Sequence, residues 1–143
     1  MPFQYLRRVY LKDTDAAGVV YFARGLEICH EAYEESLANS KIDLQQMLVE
    51  KKVALPIVHA EINFLGPLFC GDCLTINLAA DGIGNSEFSL EYQIFKEINC
   101  DRILAKAKTK HVCIDPNIRA RINLPPTILN WLKINKNKDC NVL

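Results

Sequence analysis

Alternation of apolar and polar positions governs most of this chain. Between residues 3 and 11, Phe3, Tyr5, Arg7, Val9 and Leu11 share one side, and Gln4, Leu6, Arg8 and Tyr10 share the other. A period of two marks a strand, because successive side chains of an extended backbone point to opposite faces. Neither row is cleanly apolar, which predicts a strand partly covered on both faces. From Phe22 to about Ala38 the period changes. Positions 22, 26, 29, 33 and 37 are apolar or aromatic, with Ile28 and His30 beside them, the spacing of a helical stripe. Glu27, Glu31, Glu34 and Glu35 form an acidic outer row without a Lys or Arg among them, which predicts a solvated surface or one facing a basic partner. Asn39-Ser40 closes this helix. Asp43, with Gln46 three residues on, predicts an N-cap and capping box for a short second helix carrying Leu44, Met47 and Leu48.

Beyond residue 53 the period returns to two. Val58, Ala60, Ile62 and Phe64 alternate with His59, Glu61 and Asn63. Leu74, Ile76, Leu78 and Ala80 follow the Gly71-Asp72 turn. Phe88, Leu90, Tyr92 and Ile94 follow a second turn at residues 81–85. A turn at Asn99 to Arg102 leads to a strand over residues 103–114, with Lys106, Lys108 and Lys110 on one face and Ala105, Ala107 and Thr109 on the other. Pro125-Pro126 introduces one or two helical turns with Leu129 and Trp131 inward. The pattern predicts an α+β fold: a five-stranded antiparallel sheet with one long helix covering one face, since that helix has nowhere else to bury its stripe. Residues 1–134 read as one domain and residues 135–143 as a loose tail.

Composition narrows the function classes. Half of the 143 residues are apolar, and 17 Lys and Arg balance 17 Asp and Glu. A neutral chain lacks the positive excess of a nucleic-acid binder. No apolar run approaches the length of a membrane span, and residues 1–20 lack the core of a signal peptide, so the expectation is a cytoplasmic protein without membrane insertion. The six cysteines are irregularly spaced and read as free thiols; Cys70 and Cys73 flank a turn, with no second pair or His to complete a metal site. No metal and no cofactor is expected.

The stretch with most chemical potential is Asp13-Thr-Asp-Ala-Ala-Gly-Val-Val-Tyr-Phe22. A carboxylate just ahead of a helix start can attack an acyl carbon or deprotonate water, while the N–H groups near Tyr21 and Phe22 receive the developing oxyanion. The same residues also suit a capped turn, with Gly18 supplying an unusual backbone angle. No Gly-x-Ser-x-Gly elbow occurs, and His30-Glu31 lacks the second His of a zinc hydrolase. His30 and Glu61 are weaker candidates, Glu61 because it shares a polar strand row with His59. Between Arg102 and Arg121 there are six basic residues against one acid; of these Lys106, Lys108, Lys110, Arg119 and Arg121 are candidates to hold a phosphorylated ligand.

The Asp13–Phe22 run resembles the active-site signature of the 4-hydroxybenzoyl-CoA thioesterase group of hotdog-fold enzymes, and the order of elements is similar over roughly residues 3–125. The resemblance implies that Asp15, the acid of the Asp-x-x-Gly element, is catalytic, with Asp13 a supporting neighbour. It implies that Gly18 shapes the loop and that the backbone N–H of Phe22 is the oxyanion contact. Ile28-Cys-His-Glu-Ala-Tyr-Glu34 is similar to the cyanobacterial 1,4-dihydroxy-2-naphthoyl-CoA hydrolases of phylloquinone synthesis. The other member types are a general short-chain or aromatic acyl-CoA thioesterase, a non-catalytic acyl-CoA-binding protein and, more remotely, a dehydratase, for which the signature lacks a His. The resemblance further implies an acyl-CoA substrate, CoA phosphates on a basic surface, which the basic residues above fit in kind, and a homo-oligomer, dimer or tetramer, with shared active sites; Tyr21, His30 and Glu61 are the candidate substrate contacts.

Overall fold

The computed structural model describes residues 2–96 and 102–137. The elements run β1 (Phe3–Arg8), α1 (Phe22–Asn39), α2 (Leu44–Glu50), β2 (Ile57–Phe64), β3 (Cys73–Asp81), β4 (Glu87–Lys96), β5 (Ile103–Val112), β6 (Ile114–Asp115), β7 (Ala120–Arg121) and α3 (Pro126–Ile134). Five strands form one antiparallel sheet in the order β1-β3-β4-β5-β2, with α1 against one face. This is the expected hotdog architecture. The two-residue strands β6 and β7 make a separate hairpin that alternation is too short to announce. Most of the expected turn between β4 and β5 lies outside the described residues.

The inward rows are those the alternation selects: Leu74, Ile76, Leu78 and Ala80 on β3, Phe88, Leu90, Tyr92 and Ile94 on β4, and Ala105, Ala107, Thr109 and His111 on β5, all buried. Their partner on α1 is a broader stripe than the sequence suggests. Gly25, Ile28, Cys29, Ala32, Tyr33, Ser36 and Leu37 are buried, whereas Phe22 is 65% exposed. Small residues at 25, 32 and 36 let the sheet and α3 approach, which rotates the buried face away from Phe22 and His30. Trp131 of α3 closes the core, stacking edge-on against Tyr33 and Phe88 and donating its Nε1–H to Ser36 Oγ at 3.1 Å. A buried indole needs such an acceptor.

Three local expectations change. Asp43 caps α2 through the Gln46 N–H, but the Gln46 side chain bonds Glu50, so only half of a capping box forms. On β1 only the odd row is shielded, facing α1, and the even row is exposed. Residues 135–137, read as the start of a loose tail, are held on β3: the Ala80 N–H donates to the Asn135 carbonyl and the Asn137 N–H to the Ala80 carbonyl. Residues 138–143 lie outside the described part.

Register defines two ends of the sheet. Arg8 pairs with Cys73, Leu74 with Lys96, Phe95 with Ile103 and Phe64 with Ala105, so the ends of β1, β4 and β2 and the starts of β3 and β5 lie together. The loop from β1 to α1 springs from this end.

Candidate active site

Residues 14–20 form a small hairpin between β1 and α1. Thr14 bridges Val20, the Asp15 N–H donates to the Val19 carbonyl, and the Gly18 N–H donates to the Asp15 carbonyl. Asp15 thus opens a tight turn whose last residue, Gly18, has φ +80, a left-handed angle that favours glycine. One carboxylate oxygen of Asp15 accepts the Ala17 N–H at 2.8 Å, an Asx-turn contact that fixes the side chain on its own loop. The other oxygen has no hydrogen-bond partner among the described residues, and Asp15 is exposed. The hairpin is pinned to the chain ahead of β3 by the Val20 N–H to the Leu68 carbonyl and by a bridge from Val19 to Phe69.

The helix begins immediately after the hairpin. Tyr21 is the N-cap residue and offers no side-chain cap. The N–H groups of Phe22 and Ala23 accordingly have no partner among the described residues and carry the positive end of the α1 dipole. The Tyr21 and Phe22 rings lie 4.7 Å apart and are exposed. Beside them, a Cβ built at Gly25 falls 2.7 Å from Phe64 Cζ and 2.8 Å from Ile62 Cδ1, so glycine is what lets β2 close over the first turn. An exposed carboxylate, uncapped N–H groups and an aromatic surface therefore share one end of the molecule.

The two acids of the loop have opposite environments. Asp13 is fully buried. Its carboxylate accepts Arg7 Nη1 at 2.6 Å, Arg7 Nη2 at 3.2 Å and the Tyr10 N–H at 2.9 Å. Arg7 also donates through Nε to Glu31 Oε1 at 2.6 Å, and the Tyr5 hydroxyl donates to the same oxygen at 3.0 Å. The Arg7 fork holds the Asp13 carboxyl below the usual carboxylate range, and the Asp13 contact raises Arg7 further. Glu31, expected on an acidic row either solvated or facing a basic partner, is half-buried against Arg7. Sequence reading missed Arg7, although a charge on the inward row of β1 requires an acidic partner, and that was the available signal.

The remaining candidates are dispersed. His30 is exposed beyond the first turns of α1, 3.1 Å from Glu34. Glu61 lies on the outer sheet face, opposite Lys108 in register, with Lys108 also opposite Glu91. Lys106 is the member of its row nearest the Asp15 end, and Lys110 is 3.3 Å from Glu87 near the far end. Arg121 bonds Ser86 and Glu87 at that far end, and Arg119 closes the β6–β7 turn at φ +56, its N–H donating to the Asp115 carbonyl. The structure thus separates Lys110, Arg119 and Arg121 from Asp15 within one chain. Arg8, Lys12, Lys96 and Arg102 are exposed cations at the Asp15 end, Lys96 lying 3.3 Å from Asp72. The thiol of Cys29, buried in α1, is pushed up to about 12 by burial and is no nucleophile; Cys70 and Cys73 are exposed free thiols at the turn into β3.

The sequence profile of the thioesterase-like superfamily matches residues 9–132. A 1,4-dihydroxy-2-naphthoyl-CoA hydrolase of Crocosphaera subtropica is 52% identical over 136 residues, 95% of this chain and 98% of the relative. One from Nostoc punctiforme is 48% identical over 95% of this chain and 90% of its own length. The crystal structure of a 1,4-dihydroxy-2-naphthoyl-CoA thioesterase from Synechocystis superposes with a TM-score of 0.87 at 41% identity, covering 93% of this chain and 96% of that one. A gentisyl-coenzyme A thioesterase is similar at 27% identity with a TM-score of 0.78, covering 90% of this chain and 98% of that one.

Proposed function

This chain belongs to the thioesterase-like superfamily, and from that membership we propose that it hydrolyses 1,4-dihydroxy-2-naphthoyl-CoA to 1,4-dihydroxy-2-naphthoate and CoA, the thioesterase step of phylloquinone biosynthesis. The observation that carries this reading is the 52% identity, over nearly the full length of both chains, with a hydrolase of that substrate.

In the proposed mechanism the thioester carbonyl oxygen lies against the Phe22 N–H, where the uncapped first turn favours negative charge. The oxygen of Asp15 that lacks a partner takes a proton from water as the water adds to the carbonyl carbon. The C–S bond then breaks and the departing CoA sulfur receives a proton. Direct attack by Asp15, forming an acyl-Asp15 anhydride that water cleaves, uses the same geometry, and trapping an acylated Asp15 distinguishes the two routes. Tyr21 supplies aromatic surface for the naphthoyl ring. CoA phosphates fall to cations near the Asp15 end, Lys106 with Arg8 and Arg102, in preference to Lys110 and Arg121, whose charges Glu87 engages. The protein is proposed to be a cytoplasmic homo-oligomer. The exposed edge strand β2, with Ile57, Val58 and Phe64 each at least 40% exposed, supports self-association.

Asp15→Asn tests the assignment. It is expected to abolish thioester cleavage while substrate affinity stays within about tenfold, about 1.4 kcal/mol. An unchanged hydrolysis rate removes Asp15 from the mechanism. A second reading, a broader aromatic acyl-CoA thioesterase, is favoured by the similarity to a gentisyl-coenzyme A thioesterase. A rate panel of naphthoyl, 4-hydroxybenzoyl, phenylacetyl and short aliphatic CoA thioesters decides between them. Preference for an aliphatic substrate sinks the naphthoyl assignment, and no hydrolysis of any member favours a binding protein.

A further inference from the structure

We propose that Asp13 and Arg7 are positioning residues for the hydrolytic site: together they form a clamp that fixes the Asp15 hairpin relative to the first turn of α1. This rests on the reading of Asp15 and Phe22 given above. Asp13 anchors both ends of the loop. Its carbonyl accepts the N–H of Tyr21, the residue that opens the helix, at 2.9 Å. Its carboxylate accepts the Tyr10 N–H and both Nη groups of Arg7. The chain therefore leaves β1, makes the hairpin that carries Asp15 and returns to the same residue before entering α1. Arg7 adds the third attachment, reaching Glu31 in the middle of α1 through Nε and Nη2.

The chemistry selects these side chains. A guanidinium forks to two carboxylates at once, while a lysine ammonium is a single point that cannot span both. Two acids around one base leave a net negative charge, only partly shielded from water at Glu31, which Tyr5 offsets by donating its hydroxyl to Glu31 and Tyr10 by donating its N–H to Asp13. The contacts serve a loop and a helix end, where an apolar side chain would suffice for burial but would not fix an angle. A carboxylate and an N–H group that act on one carbonyl need their separation held closely, because displacement by about 1 Å costs on the order of a hundredfold in rate.

The test compares Arg7→Lys, Asp13→Asn and Glu31→Gln with the wild type and with Asp15→Asn, well below each melting temperature. Steady-state rates use the best substrate of the thioester panel, and amide hydrogen exchange is followed residue by residue. Arg7→Lys and Asp13→Asn are expected to lower kcat by roughly ten- to a hundredfold with KM within about threefold, since the interaction lost acts on the transition state. The Tyr21 amide is expected to exchange at least about tenfold faster, with amides near Ala32 unchanged. Glu31→Gln is expected to lose less activity than Asp13→Asn, because Asp13 still holds the loop. Unchanged kcat per folded molecule, with only a lower melting temperature, overturns the proposal, as does a larger loss in Glu31→Gln than in Asp13→Asn. Should Asp13→Asn not fold, Arg7→Lys and Glu31→Gln carry the same test, and unchanged Tyr21 exchange in both overturns it. Turnover by Asp15→Asn would instead defeat the reading of Asp15, and Tyr21 exchange reports on the clamp without any turnover.

Discussion

A methyl group added at Gly18 meets nothing within 4 Å, yet φ there is +80. The cost of Gly18→Ala is therefore backbone strain rather than crowding, about 1–2 kcal/mol. Urea unfolding should show that loss, with kcat falling further than stability because Asp15 opens the same turn. Gly25 is the opposite case. Its added methyl lands on the ring tip of Phe64 and the Cδ1 of Ile62, both ends of side chains that can yield. Alanine regains about 1 kcal/mol of helix propensity there, which offsets much of the crowding. Gly25→Ala should keep stability within about 1 kcal/mol while displacing Phe64 and changing KM, which denaturation and steady-state kinetics check together. Single residues also mark the limit of what sequence shows. Asp13 and Asp15 look equivalent in the string. Burial separates them, and burial depends on Arg7, six positions earlier, turning inward.

At the scale of elements, β3, β4 and β5 were legible because α1 and α3 cover their inner face completely, so alternation is undiluted. The α1 stripe was legible in period but not in phase: glycine, alanine and serine contribute buried area that an apolar pattern does not count. Strand β2 behaves differently again. Alternation identifies it, yet only Ile62 within it is even half-buried, because it is the sheet edge. An eight-residue edge with exposed Ile57 and Val58 is a template for pairing with another strand. Val58→Lys should place like charges across such a contact and shift the protein toward monomer in sedimentation equilibrium. An unchanged assembly state would exclude β2 from the interface.

Across the whole molecule, the buried polar chain Tyr92–Thr109–His111 couples stability to pH. Burial lowers the His111 pKa from 6.5 to about 4, so the imidazole stays neutral when folded and charges readily when unfolded. Stability is therefore fully present above pH 6.5 and is lost as pH falls toward 4. The loss from this group reaches about 3 kcal/mol. His111→Gln should flatten that slope in urea titrations across the window. Asp13 acts in the same direction but lower, its contribution disappearing only below the usual carboxylate range. Neither residue was visible as a titrating group in sequence, since the identity of a neighbour across the sheet or along a loop is set by the fold.

The outer sheet face has a consequence for encounter with substrate. Glu61, Lys108 and Glu91 stand in one row across three strands, and Lys110 is engaged by Glu87. Alternating signs at such spacing cancel within about a Debye length. That face casts little long-range field, and a polyanionic thioester approaching it feels almost no pull. Any attraction comes from cations at the hairpin end, Arg8, Lys12 and Arg102 with Lys106, which faces Asn63 and Gln93 rather than an acid. A substrate of the proposed Asp15 site is therefore drawn to that end, while Lys108 and Lys110 stay electrostatically silent.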